Sequence, residues 1–360
     1  MFCKCCCFYF SFWCWIQKPK KKKLKFYPKK IIYHYNINMK IEVKDPADKI
    51  HESRPNLKTN TIKQYQTNLN KLQKLFDTDN WNFLSDPKNV MEKLEHLHFL
   101  SKRNHLNAII VLLMALNSEE KYDKILEEYG NFRDELNTKY DEEQKSGIIS
   151  DKQSKNFTTI EEVYKMINKM GEELKPIKKK KTEDLSSKEK ALLQVYTLFS
   201  IYARMPMRND VSLMEAINKR SYNKLSEKEK KEKNYLVIEK NGLFFVLNKY
   251  KTSKKYEEIK IPVEDKDLKK LLRYYLKING LGVLFKSSTG KPLSRNALTQ
   301  LLIKTSEKYM GKRISTTLLR KIYLSSKYGD MKKELEKDNK IMGHSKAVAL
   351  DTYVKEEQKD

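Results

Sequence analysis

Between residues 57 and 144 the apolar positions recur at helical spacing. Ile62, Tyr65, Leu69, Leu72 and Phe76 fall three or four apart and predict a first helix, with Thr59 and Thr61 as candidate caps. Val90, Met91, Leu94 and Leu97 predict a second around 88–98. A third, over 103–117, is apolar nearly all round from Ile109 to Leu116, which marks it as the buried one. Tyr122, Ile125, Tyr129, Phe132, Leu136 and Tyr140 carry a fourth over 119–144. No strand pattern interrupts the series, so 57–146 reads as a small helical domain. Pro46 and Pro55 predict a linker over 39–56.

The pattern then changes. Residues 145–158 are polar, contain Gly147, and suit an interdomain linker. Thr159 with Glu162, and Ser186 with Glu189, are capping-box pairs ahead of two helices, one on Val163, Met166 and Ile167, the other apolar over 191–202. Between them, 176–184 is a lysine-heavy loop. Residues 235–238 and 243–247 read as strands, and Asn241-Gly242 between them predicts a hairpin with a type I′ turn. A further strand follows over 256–262. Leu268, Leu271, Leu272 and Tyr275 predict a helix over 265–279, 283–285 is a short strand, and Ser294 caps a helix to about 310. Glu and Lys crowd 331–340, a solvated helix. The expected fold is mainly α with a small antiparallel β-sheet: a helical N-terminal domain and an α+β domain over 157–360.

A chain of 360 residues is long enough for two such cores. Its formal net charge of +27 points to a polyanion, DNA or RNA first, against the plainer reading of a lysine-rich solvated surface. No Walker-type phosphate loop is present, so ATP use is not indicated. All five cysteines lie within the first fourteen residues, so no disulfide framework holds the body and no later Cys completes a zinc set. Residues 1–16 are aromatic and short for a membrane span, which takes about 20 apolar residues. They resemble a signal segment in length but lack a small-residue cleavage site. The basic run 18–25 reads as a nuclear-localisation or phosphate-binding arm. Residues 1–38 are therefore expected to be a disordered extension, with Met39 as an alternative start.

Three side chains near the C-terminus carry candidate chemistry. Arg320 offers a planar fork of donors for a phosphate. His344, 24 positions on, can donate to a phosphate oxygen or move a proton near neutral pH. Tyr353, nine beyond that, is a candidate nucleophile. The box GlyHisSer…Tyr at this spacing resembles that of the tyrosine recombinases, the integrase family. ThrIleLysGlnTyr (61–65) is similar to the opening of that family's core-binding domain, which grips one face of DNA.

The resemblance covers roughly 57–355 and implies further residues. Arg208, in TyrAlaArgMetProMetArgAsnAspVal (202–211), matches the first catalytic arginine, with Arg204 as the rival; the acidic residue usual three positions later is Val211 here, and Asp210 is the nearest substitute. Lys251 fits the catalytic lysine of a β-turn, though Lys249, Lys254, Lys255 and Lys260 share its segment. The family's His-x-x-Arg box begins here with Thr317, whose hydroxyl can only donate or accept a hydrogen bond. Lys286, Lys291, Arg295 and Lys304 are candidates for DNA-backbone contacts.

By the same resemblance, Tyr353 attacks a phosphodiester to form a 3′-phosphotyrosine and Arg208 and Arg320 hold the non-bridging oxygens. His344 assists and Lys251 protonates the leaving 5′ oxygen, with no cofactor or metal. The expected function is site-specific recombination, integration or excision, of double-stranded DNA by a homotetramer, with no membrane. It would take place inside the cell at DNA, in a host nucleus or a viral replication site, and the motifs look most like integrases of large DNA viruses and mobile elements. A type IB topoisomerase shares the chemistry, and a non-catalytic DNA-binding relic is the third reading. Only seven residues follow Tyr353, which leaves the mode of assembly open.

Overall fold

The computed structural model describes residues 40–118, 120–343 and 350. The described chain is mainly helical with one small sheet, and divides after Ile148 into two compact units.

The first unit is all helix: α1 (Pro46–Ser53), α2 (Thr59–Phe76), α3 (Pro87–Lys93), α4 (Phe99–Leu116) and α5 (Asp123–Ser146). Helix α4 packs against α1, α2 and α5 and buries Leu106 and the run from Ala108 to Leu113, as a helix apolar on all sides must. Tyr129 of α5 is fully buried, and its hydroxyl donates to the Leu84 carbonyl at 3.1 Å. The described part of the expected linker, 40–56, is not a plain linker. Asp45 caps α1 by accepting from Ala47 N at 2.7 Å and Asp48 N at 3.2 Å, Pro46 sits in the first turn, and Ile41 and Ile50 enter the core. A proline read as a breaker is here a helix start. Neither Thr59 nor Thr61 caps α2; Lys58 stands at the cap position without a side-chain bond. Helix α3 stops at Lys93, short of the predicted 98, because His98 opens α4 by accepting from Leu100 N at 3.3 Å.

The second unit opens with α6 (Asp151–Ser154), α7 (Ile160–Leu174) and α8 (Ser187–Arg204). Ser186 and Glu189 form the predicted capping box, whereas at α7 only the Thr159 half, accepting from Glu162 N, is present. Lys180 and Ser186 around Glu189 hold its carboxyl down at about 2. The lysine-heavy loop contains a 3₁₀ turn, Ile177–Lys179, that buries Ile177.

The sheet has strands β1 (Glu215–Asn218), β2 (Tyr235–Ile238), β3 (Leu243–Leu247), β4 (Ile259–Pro262) and β5 (Gly282–Val283), in the order β4-β3-β2-β1-β5. It is mixed rather than wholly antiparallel: β1 runs parallel to β2 across a crossover holding α9 (Lys219–Tyr222) and α10 (Glu227–Glu232). The β2–β3 hairpin forms, but not on Asn241-Gly242. Ile238 pairs with Leu243 and Glu239 N donates to Gly242 O at 2.9 Å, so Lys240 and Asn241 are the tip, and neither Asn241 nor Gly242 has positive φ. Gly242 answers instead to packing, since a Cβ there would lie 2.8 Å from the Phe244 ring.

Helices α11 (Ser253–Tyr256), α12 (Lys266–Asn279), α13 (Arg295–Met310) and α14 (Thr316–Met342) complete the unit. Helix α8 is its axis: nine residues from Leu193 to Ala203 are buried, and α7, α12, α13 and α14 pack around it. Gly311, at φ 68°, ends α13, and Ser306 Oγ accepts from Ile314 N at 2.9 Å. That bond sets where α14 begins. The solvated stretch 331–340 is the outer half of this single 27-residue helix.

Candidate active site

The C-terminal half of α8 is buried on every side and ends at Met205 in extended backbone, so the chain emerging from it is held by the core. The Tyr202 hydroxyl donates to Arg208 O at 3.1 Å, and Arg320 Nε donates to Pro206 O at 3.1 Å. A 3₁₀ turn, Asn209–Leu213, follows with Asp210, Val211 and Ser212 buried. Asn209 Nδ2 donates to Thr299 Oγ1 at 2.7 Å, and Arg295 Nη2 donates to Asp210 Oδ1 at 2.8 Å, tying the turn to α13.

Two other segments meet this one. Ser315 caps α14, accepting from Leu318 N at 3.3 Å. Thr316 and Thr317 thus fall in the first turn, the former buried and the latter exposed, and Arg320 stands three residues beyond Thr317 on the same helix. Lys251 comes from the β3–β4 loop, where Tyr250 is buried and its hydroxyl donates to Glu257 O at 2.8 Å, while Lys251 is exposed.

The result is an open depression of about 280 Å³ lined by Arg208, Asn209, Asp210, Lys251, Arg295, Thr316, Thr317 and Arg320. Four cations face one carboxylate there, and the first turn of α14 adds positive potential from its free N–H groups. Burial raises the Asp210 carboxyl above the ordinary aspartate value, with Arg295, Arg208 and Arg320 opposing. Burial also pushes the Tyr202 hydroxyl well up, which keeps it a neutral donor to the Arg208 carbonyl. Three guanidinium forks and an ammonium around an open floor suit a phosphate or another tetrahedral oxyanion.

Four residues singled out from the sequence, Arg208, Lys251, Thr317 and Arg320, therefore lie together although 112 positions separate the first from the last. The other two, His344 and Tyr353, lie outside the described residues, as does the extension 1–38. The rival Arg204 is elsewhere: its Nε pairs with Asp265 at 3.1 Å, and its guanidinium sits over the Tyr164 ring. The reading from sequence missed Asn209 and Thr316, and placed Arg295 among candidates for DNA-backbone contacts without foreseeing its bond to Asp210. The adjacency of Asn209 to Arg208, and of Thr316 to the Ser315 cap, was the available signal.

The first unit has a hollow of its own, about 470 Å³, lined by Asn60, Lys63, Gln64, Asn68 and Lys71 of α2 and by Asn104 and His105 of α4, among others. Burial holds the His105 ring below the ordinary histidine value, against a bond to the Asn68 carbonyl at 3.2 Å and with Lys71 adding to the depression. Among the described residues no acidic side chain lines it, so its amides and lysines stand under positive potential.

No protein-family model matches the chain, and a comparison with curated proteins finds no match. Among solved structures, the crystal structure of XerA recombinase is similar at 12% identity and a TM-score of 0.32, over 86% of this chain and 94% of that one. A TM-score at that level leaves fold and function to be argued from the chain itself. Among the described residues, no group of three or more His, Cys, Asp or Glu is placed to hold a metal, and no helix is long and apolar enough to cross a membrane.

Proposed function

We propose that the chain is a tyrosine recombinase that cuts and rejoins double-stranded DNA through a 3′-phosphotyrosine. The observation that carries this reading is the convergence of Arg208, Lys251 and Arg320, from three separate segments, on one open cationic depression. A net charge of +27 and the amide- and lysine-lined hollow of the first unit support a long polyanionic partner.

In this mechanism the scissile phosphate sits in the depression with its non-bridging oxygens on Arg208 and Arg320, where negative charge grows in the transition state. The Tyr353 oxygen attacks phosphorus as the bond to the 5′ oxygen breaks, and Lys251 gives that oxygen its proton. His344 takes part in moving the proton of Tyr353. Because the phosphodiester is exchanged for a phosphotyrosine ester, rejoining by a 5′-hydroxyl draws on no ATP. Thr317 hydrogen-bonds where the family has a histidine. Two duplexes exchanging strands call for four protomers, and the source that fits the motifs is a large DNA virus or mobile element acting where its DNA lies.

Thr317 also favours a second reading, a topoisomerase that nicks and reseals one strand by the same chemistry. The deciding experiment incubates the protein with nicked and supercoiled DNA, quenches with detergent and looks for protein linked to a 3′ end. A Tyr353-dependent adduct, absent in Tyr353→Phe with DNA binding kept within a few-fold, is the expected result. Binding without any adduct would leave a DNA-binding protein that has lost the chemistry, and relaxation without strand exchange would favour the topoisomerase.

A further inference from the structure

We propose that Asn234, a buried amide outside the depression, is the positioning residue that holds Arg208 and Lys251 in mutual register. This inference rests on the reading of the depression as a strand-cleaving centre.

Arg208 and Lys251 sit on irregular backbone, one in the segment after α8 and the other in the β3–β4 loop. Nothing in local geometry requires two such segments to keep a fixed distance. Asn234 stands at the start of β2 and is 5% exposed. Its side-chain oxygen accepts from Asn248 N at 2.9 Å and Lys249 N at 2.7 Å. Its side-chain nitrogen donates to Lys249 O at 3.1 Å and to Asp210 O at 3.2 Å. The amide thus spends two donors and two acceptor sites on backbone, its full capacity. The orientation is dictated by the partners, because two peptide N–H groups must meet oxygen and two carbonyls must meet nitrogen.

The bonds join the two segments that matter. Asp210 lies two residues after Arg208, and Lys249 two residues before Lys251. Asn234 is also tied to the sheet, since its own carbonyl accepts from Glu215 N at 3.0 Å. One side chain therefore references both site-bearing segments to the start of β1 and β2. Hydrophobic packing could fill the same volume but would not specify the spacing, because apolar contacts are non-directional. With the amide removed, four backbone groups lose a partner in a dry environment. The β3–β4 loop, which is otherwise closed by the Tyr250 bond to Glu257 O, is freed at its β3 end.

The consequence is specific to the step Lys251 performs. Cleavage of a normal strand requires a proton for the departing 5′ oxygen. If that oxygen is replaced by sulfur, the phosphorus–sulfur bond breaks to leave a thiolate, stable near neutral pH without a donor. A variant that misplaces only Lys251 is therefore slow on oxygen-linked DNA and fast on sulfur-linked DNA.

The test measures adduct formation by the full chain and by its Asn234→Ala and Asn234→Asp variants on both substrates, with Lys251→Ala as reference and DNA binding measured in parallel. The aspartate keeps the volume and the two accepted bonds but loses both donated ones. The expected result is a fall of about 10²-fold on oxygen-linked DNA, the lower end of what a placed proton donor contributes. Rates within a few-fold of wild type are expected on sulfur-linked DNA, with binding retained. An equal loss on both substrates, or loss of binding in both variants, makes Asn234 merely structural and overturns the proposal, as does an unchanged rate on oxygen-linked DNA. No adduct from the wild-type protein overturns the functional reading and this inference with it. A wild-type adduct without selective rescue overturns this inference alone.

Discussion

Arg295 Nη2 lies 2.8 Å from Asp210 Oδ1, and among the described residues the carboxylate it meets is the one acidic group lining a depression with four cations. Asp210 is almost fully buried while Arg295 is half-exposed, so the pair faces two environments. The carboxylate offsets part of the positive charge and fixes one end of the Arg295 guanidinium.

A pH dependence of stability follows from Asp210. Burial raises its carboxyl in the folded state, and the three arginines reverse this only in part. A raised acid contributes stability that is fully present below the unfolded value, about 3.9, and is lost as pH rises through the folded value. Asp210→Asn abolishes this titration. The stability of wild type relative to the variant should therefore be greatest near about pH 3 and shrink towards about pH 7. Urea midpoints across that range check it, and a difference that grows with pH would contradict the raised value.

Arg320→Lys keeps the charge but removes both the planar fork and the Nε bond to Pro206 O. Adduct formation should fall by about 10² to 10³, the range for loss of one oriented donor to a developing oxyanion. DNA binding should change less than about tenfold, because a phosphate clamp is one of many backbone contacts. Equal losses in binding and cleavage would make Arg320 a docking residue.

Tyr202→Phe leaves the Arg208 carbonyl without its donor in a buried site. Unfolding free energy should drop by about 1–3 kcal/mol, the cost of an orphaned buried acceptor. Chemical denaturation measures it. Adduct formation should slow as well, since the same carbonyl anchors the Arg208 backbone; an unchanged rate would show that other contacts hold Arg208.

Thr317→His should leave adduct formation equal or faster. Thr317 is exposed on the first turn of α14, so an imidazole can be accommodated there and would restore a group able to exchange protons near neutral pH. Single-turnover cleavage checks this. A strong drop would show a site built around the threonine hydroxyl.

The sequence alone determined helices α2 to α5 of the first unit, helices α7, α8, α12 and α13 and the paired strands β2 and β3 of the second, and residue types able to hold a phosphate, whereas β1, α9 and α10 came only with the structure. Those features are local: helical periodicity around Leu69 and Leu72, the Ser186–Glu189 box, the β-branched and aromatic run of β2 and β3. Only tertiary structure set Arg204 and Arg208 apart, with Arg208 alone of the two lining the depression. The first ends α8 and the second lies four residues on; Asp265 pairs with the first, while the Tyr202 hydroxyl holds the backbone of the second beside the depression. Structure also turned the predicted linker around Pro46 into α1, because burial of Ile41 and Ile50 rewards a short capped helix that local pattern leaves open. It moved the hairpin tip off Asn241-Gly242, since the pairing of Ile238 with Leu243 outweighed the turn preference. The partners of Asn234 stand 14, 15 and 24 positions away, and no periodicity encodes a hydrogen bond across such separations. It exists because folding brings two distant backbone segments to one buried amide.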